Sequence, residues 1–568
     1  MATTEPHADA RRRGGRAALD VLLTETTSFG GASRFVQPAA AARTVAGLAR
    51  QPGRAARRAA GLGGELSRIA RGRSQLAPAK GDRRFGDRAW QENWMLRRLL
   101  QSYLAVGDAL DGLISDADLD WRAERQARFM ASNLMDAFAP TNFPLTNPAV
   151  LKETIDRGGA NLVIGGRRLL RDVSRSPRLP ATVDTSRFEV GGNLALTPGS
   201  IVLHTEVFEL IQYAPTTETV HERPLLIVPP TINKYYVLDM APGRSIVEHL
   251  VAQGQQVFMI SWRNPDADHA HFDFDTYAAA VLEARQAVAS ISEQQSVHVA
   301  AACSGGILSA GAVGHLAASG RLGDVASLTL MVCALDNRQA GTTAAFTSRQ
   351  VAAAAMAESA RKGYLDGRSL AGVFAWLRPN DMIWGYVVNN YLLGKAPPAF
   401  DILYWNQDTV RLAAGLHRDF IQLALENDLV TAGARTVLGT PVSLADVELD
   451  SYVVAGSNDH IVPWENAYRS TQVLGGRPRF VLSTSGHIQA LINPPSPDSR
   501  SSYRVSEEHP PEPEQWQEQA AKKRGSWWPD YVAWLAERSG DQRPAPTALG
   551  NDDYRATAKA PGIYVHAN

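Results

Sequence analysis

Two cysteines in 568 residues, Cys303 and Cys333, leave no room for a disulfide framework or a cysteine-based zinc site. No stretch approaches the roughly 18 uninterrupted apolar residues that span a bilayer, so no transmembrane segment is expected. No apolar h-region follows Arg11, Arg12 and Arg13, so no signal peptide is read. Net charge is missing too: 58 Lys+Arg face 58 Asp+Glu. Aromatics alternating with arginine on a sheet are absent from the basic N-terminus, and no nucleic-acid partner is expected. These absences describe a soluble chain of a reducing compartment. Its 45% hydrophobic residues suffice for a large packed core.

The charge balance is uneven. Residues 1–80 hold 14 Lys/Arg against 5 Asp/Glu, and the rest of the chain holds 44 against 53. Rich in Ala, Gly and Arg, this stretch reads as a basic, flexible N-terminal arm, suited to an anionic partner or merely disordered. From Trp90 the pattern turns helical. Leu96, Leu99, Leu100, Tyr103, Leu104, Leu110 and Ile114 recur at spacings of three, four and seven, and a second helical stretch ends at Ala139-Pro140. Residues 81–190 are therefore expected to form a helical domain.

After Pro198-Gly199 short apolar strands alternate with helices: PLLIV at 224–228, QVFMISW at 256–262, VHVAA at 297–301 and the strand ending at Cys333. That alternation predicts an α/β domain over 191–540, with a parallel sheet covered on both faces. Residues 335–440 interrupt it with a long helical, aromatic-rich stretch placed where a cap or lid would sit. Residues 541–568 read as a polar C-terminal tail.

The chemistry starts at Ala301-Ala302-Cys303-Ser304-Gly305-Gly306, where a strand passes through small residues into a helix. This is the layout of a nucleophile elbow, with cysteine in place of serine and Ala301 where glycine is usual. A thiolate at a helix start gains from the macrodipole, and the N–H of Ser304 is placed to receive an oxyanion. A lone cysteine is usually a small buried hydrophobe, and Cys333 keeps that reading. The acid and base should follow in chain order. Asp459 stands just past a late strand in GSNDHIVPW, and His487 follows the last strand in SGHIQALINPP. His460 is a rival base. The expected fold is an α/β-hydrolase with a helical cap insertion and a helical N-terminal domain. A cysteine nucleophile favours acyl transfer, because a cysteine thioester preserves the activation of a thioester substrate and can pass its acyl group to an alcohol.

From Asp82 to Gly540 the chain resembles the polyhydroxyalkanoate synthases. The resemblance rests on Ser261-Trp262-Arg263-Asn264-Pro265, Leu377-Arg378-Pro379-Asn380-Asp381, the run from Asn389 to Trp405, and the blocks around Asp459 and His487. Ala-Cys-Ser-Gly-Gly and the chain length are most similar to the class II, medium-chain-length branch. The resemblance implies polymerisation of (R)-3-hydroxyacyl-CoA into a polyester with release of CoA. Cys303 would carry the chain, His487 would activate it, and Asp459 would orient His487 or help activate the incoming hydroxyl. It also implies a homodimer at cytoplasmic granules, and neither metal nor cofactor, CoA being a leaving group. The second oxyanion donor is sought at Ile232, after the PLLIVPP strand. A thiol esterase or polyester depolymerase, and a non-catalytic granule-associated protein, are the alternative readings.

Overall fold

The structure is a computed structural model and describes residues 38–175, 178–337 and 349–567. Within that range the flexible arm needs correction. Pro38–Arg50 and Pro52–Ala70 form two helices, α1 and α2. Both are packed. Ile69 is buried, Arg58 Nε donates to Asp116 at 2.7 Å, and a Cβ on Gly47 would lie 2.2 Å from the Ala117 carbonyl oxygen. The alanines, leucines and arginines of these segments are good helix formers that offset the glycines, and tertiary contact adds to that propensity. Residues 1–37 of the expected arm lie outside the described range.

Trp94–Asp116 (α3) opens on Asn93, whose side chain accepts the N–H groups of Met95 and Leu96, and it buries Leu96, Leu100, Ala105 and Ile114. Trp121–Ala137 (α4) packs beside it. Ala160–Val173 (α5) leans on the cap. Gly165 sits so close that a Cβ would lie 1.7 Å from the Tyr391 carbonyl oxygen. Asn161 Nδ2 donates to Leu392 O at 2.8 Å, and Tyr391 OH donates to Asp172 Oδ2 at 3.0 Å.

Among the described residues an 11-stranded sheet forms the centre. In chain order its strands are Gly199–His204 (β1), Phe208–Tyr213 (β2), Leu225–Val228 (β3), Val257–Trp262 (β4), Val297–Ala302 (β5), Val325–Met331 (β6), Ser451–Gly456 (β7), Pro478–Ser483 (β8), Ser502–Ser506 (β9), Ala521–Arg524 (β10) and Ala558–Lys559 (β11). Their spatial order is β10-β9-β8-β7-β6-β5-β3-β4-β2-β1-β11. The run from β8 to β4 is parallel, and antiparallel strands extend both sides. Strands β3, β4, β5 and β7 are buried at every residue, as a sheet covered on both faces requires. Alternate residues feed two apolar layers: Leu226 and Val228 enter one, Leu225 and Ile227 the other. The first layer holds Phe274–Ser292 (α6), opened by an Asp273–Thr276 capping box, and Ser304–Ala318 (α7).

Between β6 and β7 lies the cap, with helices Arg349–Lys362 (α8), Gly367–Leu377 (α9), Asp401–Gln407 (α10) and Ala414–Glu426 (α11). The C-terminal tail, residues 541–567 of the described range, folds back onto the sheet. β11 pairs with β1, Tyr564 and Val565 are buried, and their neighbourhood satisfies the buried Glu209, whose carboxylate accepts Ile563 N–H and Tyr564 N–H, each at 3.0 Å. A polar segment was recruited here to cover an edge strand and to partner a buried acid.

Candidate active site

The parallel strands deliver their C-terminal ends to one rim, and the three singled-out side chains stand there. β5 ends at Ala302, and the next residue, Cys303, adopts φ 49° and ψ −120° before α7 begins. A non-glycine residue at positive φ is strained, and such strain concentrates at reactive turns. Surrounding contacts hold it: Cys303 N–H donates to Met331 O at 2.9 Å. Gly305 is required by space. A Cβ there would stand 2.4 Å from Pro229 O and 2.6 Å from Val228 O. Ala301, in the position where glycine is usual, is wholly buried in the first apolar layer.

The loop after β3 therefore lies directly on the elbow, and Ser304 pins it there. Thr231 N–H donates to Ser304 Oγ at 2.9 Å, and the two hydroxyl oxygens are 3.1 Å apart. Ser304 N–H belongs to the first turn of α7, where N–H groups have no intrahelical acceptor. Ile232 follows Thr231 in that loop and is half-buried.

Asp459 lies past β7. Its Oδ1 accepts Ile461 N–H at 2.8 Å and Val462 N–H at 2.9 Å, which turns Oδ2 to His487 Nδ1 at 2.6 Å. The loops that carry the acid and the histidine are fitted together at Gly456, where a Cβ would come within 2.5 Å of Ser485 O. Asn458 N–H donates to the same oxygen at 3.0 Å. His487 is buried, and burial alone would lower its pKa. The Asp459 carboxylate, with a smaller contribution of the same sign from the Cys303 sulfur, outweighs that penalty, and the imidazole is pushed up from 6.5 to about 10. The rival base, His460, is half-buried beside Asp459. Cys333 is buried in the core, where loss of solvent raises its thiol pKa well above 9.0. Among the described residues no group of three or more His, Cys, Asp or Glu side chains could hold a metal ion. No helix there is long and apolar enough to cross a membrane.

One part of the site escaped the sequence reading. Lys234, in the elbow-covering loop, is buried and pairs with Asp408 at 2.8 Å, and Tyr236 OH donates to the same carboxylate at 2.7 Å. The available signal was a lysine in the largely apolar stretch from Leu225 to Leu238, since a buried lysine needs a partner.

The strand order, the elbow and the rim it faces define an α/β-hydrolase fold, and residues 224–494 match that family. Residues 81–250 match the family described as the N-terminus of poly-beta-hydroxybutyrate polymerase (PhaC). The chain is 45% identical to poly(3-hydroxyalkanoate) polymerase 1 of Ectopseudomonas oleovorans, over 87% of this chain and 88% of that protein. It is 41% identical to the polymerase subunit PhaC of Cupriavidus necator, over 87% and 85%, and 37% identical to the polymerase of Methylorubrum extorquens, over 86% and 81%. The chain belongs to the poly(3-hydroxyalkanoate) polymerase family. It is an acyltransferase of that family, as the motif blocks led one to expect.

Proposed function

We propose that this chain polymerises (R)-3-hydroxyacyl-CoA into a polyhydroxyalkanoate, releasing CoA, through acyl thioesters on Cys303. The observation that carries the reading is the elbow thiol beside a histidine whose other nitrogen is held by Asp459 at 2.6 Å. A ring pushed up to about 10 favours keeping a proton. His487 therefore takes the thiol proton, and the Cys303 thiolate attacks the thioester carbonyl. The oxyanion is met by Ser304 N–H and a second donor, assigned to Ile232 N–H. The new C–S bond forms, the old one breaks, and the CoA sulfur leaves with the proton from His487.

In the second half a 3-hydroxyl, deprotonated by His487 or Asp459, attacks another acyl thioester. An ester C–O bond forms, a C–S bond breaks, and the chain grows by one unit. Thioester exchange is nearly neutral and thioester-to-ester transfer runs downhill, so a cysteine relay conserves the activation that a serine ester would lose. Exclusion of water falls to the cap, without which the acyl-cysteine would hydrolyse. The scheme calls for no metal or prosthetic group, and the family resemblance adds the proposal that the enzyme works as a homodimer on the growing polymer at cytoplasmic granules. Incubation with 3-hydroxybutyryl-CoA or 3-hydroxydecanoyl-CoA tests it. CoA release accompanied by polymer is the expected result; CoA release with free hydroxy acid alone would make the protein a hydrolase.

A further inference from the structure

An oxyanion donor works only if its loop is already in place when charge develops, because reorganisation during the reaction would cancel its benefit. The loop that follows β3 is not self-supporting. Up to Thr231 it is tied to the elbow through Ser304. Beyond Ile232 the polar ties of Asn233, Lys234 and Tyr236 run to the cap, while Tyr235, Tyr236 and Val237 also pack in the second apolar layer. Asn233 forms an antiparallel bridge with Thr409. Lys234 O accepts Trp405 Nε1–H at 2.7 Å, and Lys234 Nζ meets Asp408 Oδ1 at 2.8 Å. Tyr236 OH takes the other carboxylate oxygen at 2.7 Å. The Lys234 and Asp408 side chains are only 4% and 14% exposed, so the pair has little water to fall back on. Burial and the Asp408 charge hold the Tyr236 phenol firmly protonated, which keeps it a donor.

We propose that Lys234 and Asp408 are positioning residues that make the oxyanion loop's geometry conditional on the seating of α10. A buried ion pair resists partial separation, since either charge left alone is poorly solvated. With α10 seated, both the side chain and the carbonyl of Lys234 are fixed, two residues after the expected donor Ile232. With α10 lifted, the ammonium loses its counter-charge, and the loop loses Trp405 and Thr409 in the same movement. The cap thus does two things at once: it covers the acyl-cysteine and completes the site beneath it. Acylation would be fast only under a closed cap, which suits an enzyme whose intermediate must not meet water. This inference rests on Cys303 being the acylated nucleophile.

The test uses the purified full-length chain with 3-hydroxybutyryl-CoA and 3-hydroxydecanoyl-CoA, comparing Asp408→Asn, Lys234→Met, Lys234→Arg and Cys303→Ala with the parent. Expected for Asp408→Asn and Lys234→Met is a fall in kcat of about 100-fold, the size of one lost oxyanion donor, with KM within a few-fold. Lys234→Arg, which keeps the charge, should recover part of kcat. Alkylation of Cys303 by iodoacetamide develops no oxyanion and should keep the parent rate in all three. Unchanged kcat in Asp408→Asn overturns the proposal. So does a loss of kcat matched by an equal loss of alkylation rate, which would mean general disorder of the site. Continued CoA release by Cys303→Ala would instead overturn the nucleophile assignment, so the two failures are separable.

Discussion

Gly305→Ala is the smallest change that should disable the elbow without touching a reacting group. One methyl enters a space bounded by backbone: its carbon would lie 2.4 Å from Pro229 O and 2.6 Å from Val228 O, where contacts under 3.0 Å are essentially never seen. Neither oxygen can swing aside, because Val228 is part of β3 and the Pro229 carbonyl accepts Trp262 Nε1–H at 3.0 Å. Elbow and loop must therefore part by about 0.6 Å or more, which pulls Ser304 N–H away from the donor side of the loop; a misplacement of about 1 Å costs about 100-fold in rate. The expected outcome is a 10- to 100-fold fall in kcat for CoA release, about 1–3 kcal/mol lost from stability to overpacking, and a little-changed KM. Gly306→Ala is the internal control, since its methyl would meet the Cys333 side chain, Sγ at 2.6 Å and Cβ at 3.0 Å. Adding Cys333→Ala to Gly306→Ala removes the sulfur and should restore much of the rate, whereas the same addition should do nothing for Gly305→Ala. A Gly305→Ala enzyme with parental kcat would refute the claim that elbow and loop form one rigid unit.

Asp459→Asn should lower kcat by about 10²- to 10⁴-fold, the range for loss of an orienting carboxylate. It should also reverse the pH dependence of stability. In the parent, His487 is raised from 6.5 to about 10, so its contribution is fully present below pH 6.5 and lost as pH rises through about 10. In the variant burial dominates, the imidazole pKa falls below 6.5, and stability should instead be lost on acidification; thermal unfolding from pH 5 to 10 separates the two slopes. Deleting residues 558–568 should cost about 3 kcal/mol or more, because buried Glu209 loses the N–H groups of Ile563 and Tyr564, and denaturant unfolding measures it. A deletion with unchanged stability would show that the C-terminal strap is dispensable.

Where chemistry forces a local pattern, the sequence was readable. The strands of the parallel block are predominantly apolar, and the elbow needs small residues on both sides of Cys303. Asp459 and His487 each stand just past a strand end, so counting strands was enough to find them. What could not be read depends on partners far away in the chain. α1 and α2 are helix-competent by their Ala, Leu and Arg content, but their packing against α3 and α4 could not be read from residues so distant in the chain. β11 carries almost no apolar pattern and pairs because β1 offers an open edge. Lys234 and Asp408 are 174 residues apart, and neither residue hints at the other. The positive φ of Cys303 is likewise set by its surroundings, chiefly the Met331 carbonyl and the close approach at Gly305.

The central claim is that Cys303 carries the acyl chain, and mass spectrometry of the quenched enzyme tests it most directly. After milliseconds with 3-hydroxydecanoyl-CoA, the peptide spanning Cys303 should gain one or more 3-hydroxydecanoyl units. The adduct should be labile to hydroxylamine as a thioester is, and absent from Cys303→Ala. Polymer formation with no adduct on Cys303, or with the adduct on another residue, would contradict the account.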